Sequence, residues 1–489
     1  MLPLVEQGNS SVAKPIQPAP VVPPPAATPD EAEPKTAVVV IHGMGEQRPM
    51  ETLWGFVQAA WVRDPDLVGE RNDDVYSKPD SITGSFELRR ITTRDSRALG
   101  DHRVDFFEFY WAHLMTGNTA TSVLDWAVGL LVRGPSSVPA RLWGRWLVGL
   151  ALLVVSLILV VAGSLSDLWK PLVKAGLVTG FTLVSLAAGW FTAKWLAPVA
   201  GDAARYLSPT PDNVAARQAI REAGVDLLRR LQDSGRYDRI VIAGHSLGSV
   251  IGYDVLNVAW GRIDKEVFWR VHPAGSPLMK ALGQLEQRSI ELIKAKGDAV
   301  EPARRAYRDA QRTYFELLSA ARDDGKAIWL VSDFVTLGSP LSAADVLVAK
   351  DDDDFKLRKA YRELPTSPPW LEKLDPPRFS FDMRRPSRSP HQAAVFAPTV
   401  WTNIFFEVKW VLAGDPIGGA VAPLLGWGVR DVSLPSPGLA FRHLDYWTRP
   451  DAKPATAAVI ALRRALNLRR QTEDQIWGAG VVDAGDHTD

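Results

Sequence analysis

The chain has 489 residues, enough to bury a large core, with 46% hydrophobic and 23% charged side chains. Its 56 basic and 56 acidic side chains cancel, so net charge leaves no footprint for nucleic acid. It contains no cysteine, which excludes disulfides, thiolate zinc sites, iron–sulfur ligation and a cysteine nucleophile.

Residues 1–35 lack a basic start followed by an apolar stretch, so they do not read as a secretory signal. Pro15, Pro18, Pro20, Pro23, Pro24, Pro25, Pro29 and Pro34 stand among small residues. Such a segment buries too little apolar surface to offset its ordering entropy and reads as a disordered leader. Folded structure is expected from Thr36. Ala37 to Ile41 is a β-branched run suited to a strand buried on both faces of a parallel sheet. It ends in the turn His42-Gly43-Met44-Gly45, and a helix is expected from about Met50 to Val62. Further strands are expected at Ser85 to Ile91 and Val104 to Trp111, completing a first core segment at 36–113.

Residues 114–204 read as a membrane-associated insertion. Two apolar runs, 146–165 and 172–191, are each about 20 residues, hence about 30 Å as helices, matching a bilayer's hydrocarbon core. Trp143, Trp146, Trp169, Trp190 and Trp195 stand at the run ends, where indoles favour the interface. Arg133, Arg141, Arg145, Lys194 and Arg205 flank the pair on the outside, against Lys170, Lys174 and Asp167 in the connection. The positive-inside bias then puts both outer ends, and the catalytic part, on the cytoplasmic side of the inner membrane. The competing reading is a pair of buried core helices.

A second core segment is expected at 205–450. A helix runs to about Ser234, with Val214, Ile220, Val225, Leu228 and Leu231 on one face. Ile240 to Ala243 reads as a short buried strand and Gly248 to Asn257 as a helix. The charged, helix-prone stretch 278–322 reads as a helical cap, or as a partner-binding arm. Strands follow at Trp329 to Leu337, Val400 to Phe406 and Val429 to Leu434, with a proline-rich, irregular stretch at 350–398. Asp351 to Asp354 is an acidic run; consecutive carboxylates without ligand spacing read as a solvated loop or helix start rather than a calcium site. Residues 451–489 read as a C-terminal helix and tail.

The chemistry centres on Gly244-His245-Ser246-Leu247-Gly248. A Gly-x-Ser-x-Gly match alone is weak. Here it lies between a buried strand and a helix, as a nucleophile elbow requires, with small residues giving clearance for the turn. A serine hydroxyl needs a base to take its proton and an acid to hold the base's tautomer. Along the chain the order is serine, acid, histidine. Of the histidines after Ser246 in the folded body, His443 lies beyond the last expected strand; His391 precedes the strand that bears the acid, and His272, near the cap, has no acid loop before it. Asp415, in a glycine-flanked turn after the penultimate strand, is favoured as the acid over Asp431 and Asp445, which read more easily as surface charges. The oxyanion needs donors worth about 3 kcal/mol each. The backbone N–H groups of Leu247 and Met44 are the candidates, and His42 and His245 read as structural hydrogen-bonders rather than bases. The turn at 42–45 has neither the P-loop nor the dinucleotide spacing.

His42-Gly43-Met44-Gly45, Gly244 to Gly248, Thr336-Leu337-Gly338-Ser339-Pro340, Trp401-Thr402-Asn403 with Gly414-Asp415-Pro416, and His443 with Tyr446 together resemble the lipase and esterase branch of the α/β-hydrolases. The resemblance covers about 36–113 and 205–450, and is to a bacterial membrane-associated member whose core is split by a transmembrane hairpin. It implies an α/β-hydrolase fold, a Ser246–His443–Asp415 triad without cofactor or metal, and hydrolysis of a carboxylic ester. The hairpin favours a lipophilic or membrane-derived substrate and the lipid bilayer as partner. Thioester hydrolysis or acyl transfer by the same triad, and a non-catalytic membrane scaffold, are the competing functions.

Overall fold

A computed structural model describes residues 35–43, 49–68, 75–80, 89–100, 102–115, 211–382, 387–408, 414–436, 440–448 and 455–478, with isolated positions between these ranges. At its centre is an eight-stranded sheet. In chain order its strands are β1 (Lys35–Ile41), β2 (Val75–Pro79), β3 (Arg89–Thr93), β4 (Arg103–Phe109), β5 (Tyr237–His245), β6 (Val331–Leu337), β7 (Val400–Phe406) and β8 (Arg430–Leu434). Their order across the sheet is β8-β7-β6-β5-β1-β4-β3-β2. The strands from β8 to β4 run parallel, whereas β3 is antiparallel to β4 and β2 antiparallel to β3. The protein is therefore an α/β structure with a mostly parallel sheet.

The β-branched run of β1 has its expected consequence. Alternate side chains leave a strand on opposite faces. Ala37, Val39 and Ile41 join one apolar cluster, and Val38 and Val40 join the other. On the first face lie α2 (Pro211–Asp233) and α3 (Leu247–Gly261), contributing Ile220, Leu228, Ile251 and Leu256. The second face is covered by α1 (Glu51–Val57), whose end winds into a π turn at Gln58–Val62, and by α6 (Ala457–Leu466). Each such fully buried side chain contributes about 1.5–3 kcal/mol. The helix expected in the C-terminal stretch is α6, which joins the core with Val459, Leu462 and Leu466 buried against the sheet; the expected tail from residue 479 lies outside the described residues.

The charged stretch 278–322 is helical, as expected. Its two helices, α4 (Pro277–Lys294) and α5 (Val300–Ala320), pack together. Along α5, Gln311 donates to Thr399 O, Arg308 to Trp401 O and Thr402 Oγ1, and Arg312 pairs with Asp333. Those partners stand at the starts of β6 and β7, whereas Ser246 follows the end of β5. The reason is electrostatic. Arg308 and Arg312 close on the buried carboxylate of Glu473 at 2.7 and 2.9 Å, delivered by α7 (Glu473–Trp477), a partner 165 residues away for Arg308.

The acidic run has the simpler of its two expected roles: the Asp351 side chain accepts from Asp354 N and starts a helix at Asp352–Ala360. The predicted spans 146–165 and 172–191 lie outside the described residues except for Trp146, Leu147, Leu150, Ala151 and Val154, which are helical. Among the described residues no helix is long and apolar enough to cross a membrane. The proline-rich leader, up to residue 34, also lies outside them.

Candidate active site

β5, near the middle of the sheet, ends at His245, and α3 begins at Leu247. Ser246 alone makes the reversal, with φ 52° and ψ −127°. A non-glycine residue in such a region stores about 1–3 kcal/mol and persists only where its surroundings hold it. Ser246 N donates to Leu337 O at 2.9 Å. Ser249 Oγ donates to Ser246 O at 2.5 Å and lies 2.6 Å from Ser339 Oγ. The flanking glycine is sterically required. A Cβ on Gly248 would collide with Ile41 O and stand 2.5 Å from His42 O, so α3 can start this close to β1 only without a side chain there.

The same closeness brings the turn after β1 to the elbow. A Cβ on Gly43 would lie 2.8 Å from Ser246 Cβ. Trp111 Nε1 donates to His42 O at 3.0 Å and its ring stacks on His42, which fixes the turn's entry. Met44 lies outside the described residues. Leu247, the first residue of α3, has one of the N–H groups that a helix start leaves without an intrahelical acceptor, at the positive end of the dipole.

Asp415 follows β7 and His443 follows β8. Their loops are stitched together: Gly414 N donates to Ala440 O at 3.0 Å and Arg442 N to Gly414 O at 2.8 Å. The side chains meet, His443 Nδ1 lying 2.9 Å from Asp415 Oδ1. Asp415 is fully buried, and its other bonds come from Ile417 N at 3.0 Å, Gly418 N at 2.9 Å and Tyr446 Oη at 2.5 Å. Burial by itself raises its carboxyl. The His443 ring, the Tyr446 hydroxyl and the Gly418 N–H outweigh burial and hold Asp415 below the usual carboxylate range. Tyr446 is pushed well above its ordinary value by burial and by Asp415, so it stays a donor.

The pair rests on Gly338, at the end of β6. A Cβ there would stand 2.6 Å from Asp415 Oδ2 and 3.0 Å from His443 Nδ1, and the residue has φ +58°. That accounts for the glycine in Thr336 to Pro340. Ser246 Oγ and His443 Nε2 are both buried, and neither has a hydrogen-bond partner among the described residues. A hydroxyl and a ring nitrogen are the donor and acceptor types that a serine nucleophile and its base would use, a contact that often tightens only with substrate.

The rival residues have other tasks. Asp431 is not a surface charge: it is buried and caps a short helix, accepting from Val421 N, Ala422 N and Asn403 Nδ2. Asp445 pairs with Arg442 on the surface side of the loop. His272 bonds Phe268 O and Tyr314 Oη, and His391 bonds Trp370 O and Ala393 N. Burial pushes both rings down to about 4, as expected of neutral structural histidines. Sequence reasoning gave no role to Tyr446 or to the N–H groups of Ile417 and Gly418. The second had a local signal, since an aspartate in a glycine-rich turn commonly accepts from the backbone two or three residues on. No family model, curated protein or solved structure matches the chain, so the reading of this site stands on its geometry alone.

Proposed function

We propose that the chain is a serine hydrolase of the α/β-hydrolase type that cleaves a carboxylic ester through an acyl-enzyme. The observation that carries this reading is the buried Asp415–His443 pair seated on Gly338 beside the strained Ser246 turn. Ser246 Oγ attacks the ester carbonyl while His443 Nε2 takes its proton. Asp415 holds the Nδ1–H tautomer and stabilises the imidazolium. The oxyanion is met by the N–H of Leu247 and, from the turn after β1, that of Met44. The alcohol leaves with the proton from His443, and water repeats the sequence on the acyl-enzyme.

A lipophilic or membrane-derived ester is the proposed substrate, reached from a bilayer anchor formed by 146–165 and 172–191 with the sheet on the cytoplasmic side. The apolar character of those runs supports this. The test is covalent labelling. A fluorophosphonate should label the detergent-solubilised protein and spare Ser246→Ala, and only the wild type should hydrolyse p-nitrophenyl esters. Equal labelling of both proteins would overturn the reading.

A further inference from the structure

We propose that His245, the residue before the elbow, is a positioning residue for His443: its ring N–H fixes the backbone of the loop that carries the base. The inference rests on the serine-hydrolase reading above. His245 Nε2 lies 2.9 Å from His443 O. A carbonyl only accepts, so Nε2 carries the hydrogen and the tautomer is determined. The ring is buried between aromatic neighbours, with centroids 4.9 Å from His443, 4.9 Å from Trp447 and 5.7 Å from Tyr446.

The bond has a place in the wiring of the site. It runs from the nucleophile strand to the base loop across 198 residues of sequence. The base loop is in turn tied to the acid loop through Gly414 with Ala440 and Arg442. Nucleophile, base and acid are thereby linked by backbone contacts as well as by the triad side chains. Misplacement of a reacting group by about 1 Å can cost about a hundredfold in rate, so a tether on the base's own residue bears on turnover.

A histidine suits this position because it stays neutral. Burial first, then the neighbouring His443 and His42, disfavour its cation more than the His443 carbonyl and Asp415 favour it, and its pKa falls to about 3. The ring therefore donates one fixed N–H at working pH without placing a second positive charge beside the imidazolium that forms on His443. A lysine or arginine would repel that charge. An apolar residue would fill the space but leave the buried His443 carbonyl unpaired.

The experiment compares His245→Phe, which keeps aromatic volume without the donor, with His245→Gln, whose amide N–H reaches the former Nε2 position. Both are made in the full chain and assayed in detergent with a p-nitrophenyl ester from about pH 5 to about pH 9. His245→Phe should lower kcat by roughly 30- to 100-fold with KM changed less than about twofold, and His245→Gln should recover about tenfold of the loss. A readout independent of turnover is the downfield proton resonance of the His443 Nδ1–H, assigned by its loss in His443→Ala. It should shift or broaden in His245→Phe and hold in His245→Gln. Should His245→Phe not accumulate as folded protein, His245→Met provides the donor-free comparison. Unchanged kcat and resonance in the donor-free variant would overturn the inference, as would a glutamine variant as impaired as phenylalanine. A wild type without Ser246-dependent turnover would overturn the hydrolase reading instead, and the resonance would still decide the tether.

Discussion

Asp415→Asn probes the site where its hydrogen-bond pattern dictates the outcome. Asp415 Oδ1 accepts from three N–H groups, those of Ile417, Gly418 and His443, while Oδ2 accepts from the Tyr446 hydroxyl. An asparagine must place its NH2 at one of these positions. At Oδ1 it would confront three donors. At Oδ2 it meets a phenol, which can rotate its hydrogen away and accept. The variant therefore keeps an oxygen toward His443 and preserves the tautomer. It loses the charge. For a carboxylate and an imidazolium about 4 Å apart at an effective dielectric near 20, the attraction is about 4 kcal/mol. The amide dipole returns part of that, leaving a net loss of about 3 kcal/mol, or roughly a hundredfold in kcat. Where such an amide instead turns its NH2 to the base, the loss reaches about 10⁴. Steady-state hydrolysis of a p-nitrophenyl ester separates the two results. A loss below about tenfold would refute the role of Asp415. A loss near 10⁴ would refute the argument that the four donors set the amide's orientation.

Three further outcomes test the frame around the site. Gly248→Ala, whose Cβ would collide with Ile41 O, should cost about 3 kcal/mol in chemical denaturation, whereas Gly235→Ala, at φ +66° but in open space, should cost about 1 kcal/mol; similar losses would contradict the close packing of α3 on β1. Glu473→Gln removes the buried charge that Arg308 and Arg312 close upon, which hold its pKa down to about 2 despite burial. It should cost about 3–5 kcal/mol, and an unchanged Tm would remove this cluster from the account of α5. His272 and His391 are held neutral by burial with pKa about 4, and unfolding frees them to take protons near 6.5. Stability should fall as pH drops from about 6.5 towards 4, and the double variant His272→Gln/His391→Gln should flatten that decline in Tm.

Much of the framework is legible because it is local. The run Ala37 to Ile41 has no polar side to turn to water, so it forms a strand covered on both faces. Ser246 sits where a buried strand must give way to a helix within one residue, and the glycines around it leave the clearance. The order of Ser246, Asp415 and His443 along such a sheet made them the candidates, and those last two meet at 2.9 Å. β2 was not legible: Val-Tyr-Ser-Lys-Pro is an edge strand with mostly exposed side chains and has no apolar run to announce it.

What the tertiary structure alone decided depends on partners far away in sequence. The helices at 278–322 read as a charged cap or partner-binding arm by composition, whereas the partner that fixes the α5 arginines, Glu473, comes from the C-terminal helix. Asp431 looks like a surface charge, yet the backbone N–H groups of Val421 and Ala422 draw it inside. Tyr446 on Asp415, Gly338 beneath the acid–base pair and His245 on the His443 carbonyl are likewise contacts between loops at the ends of different strands. Propensity and periodicity act over a few residues. The pairing of buried charges and donors is settled only when the whole chain has closed around them.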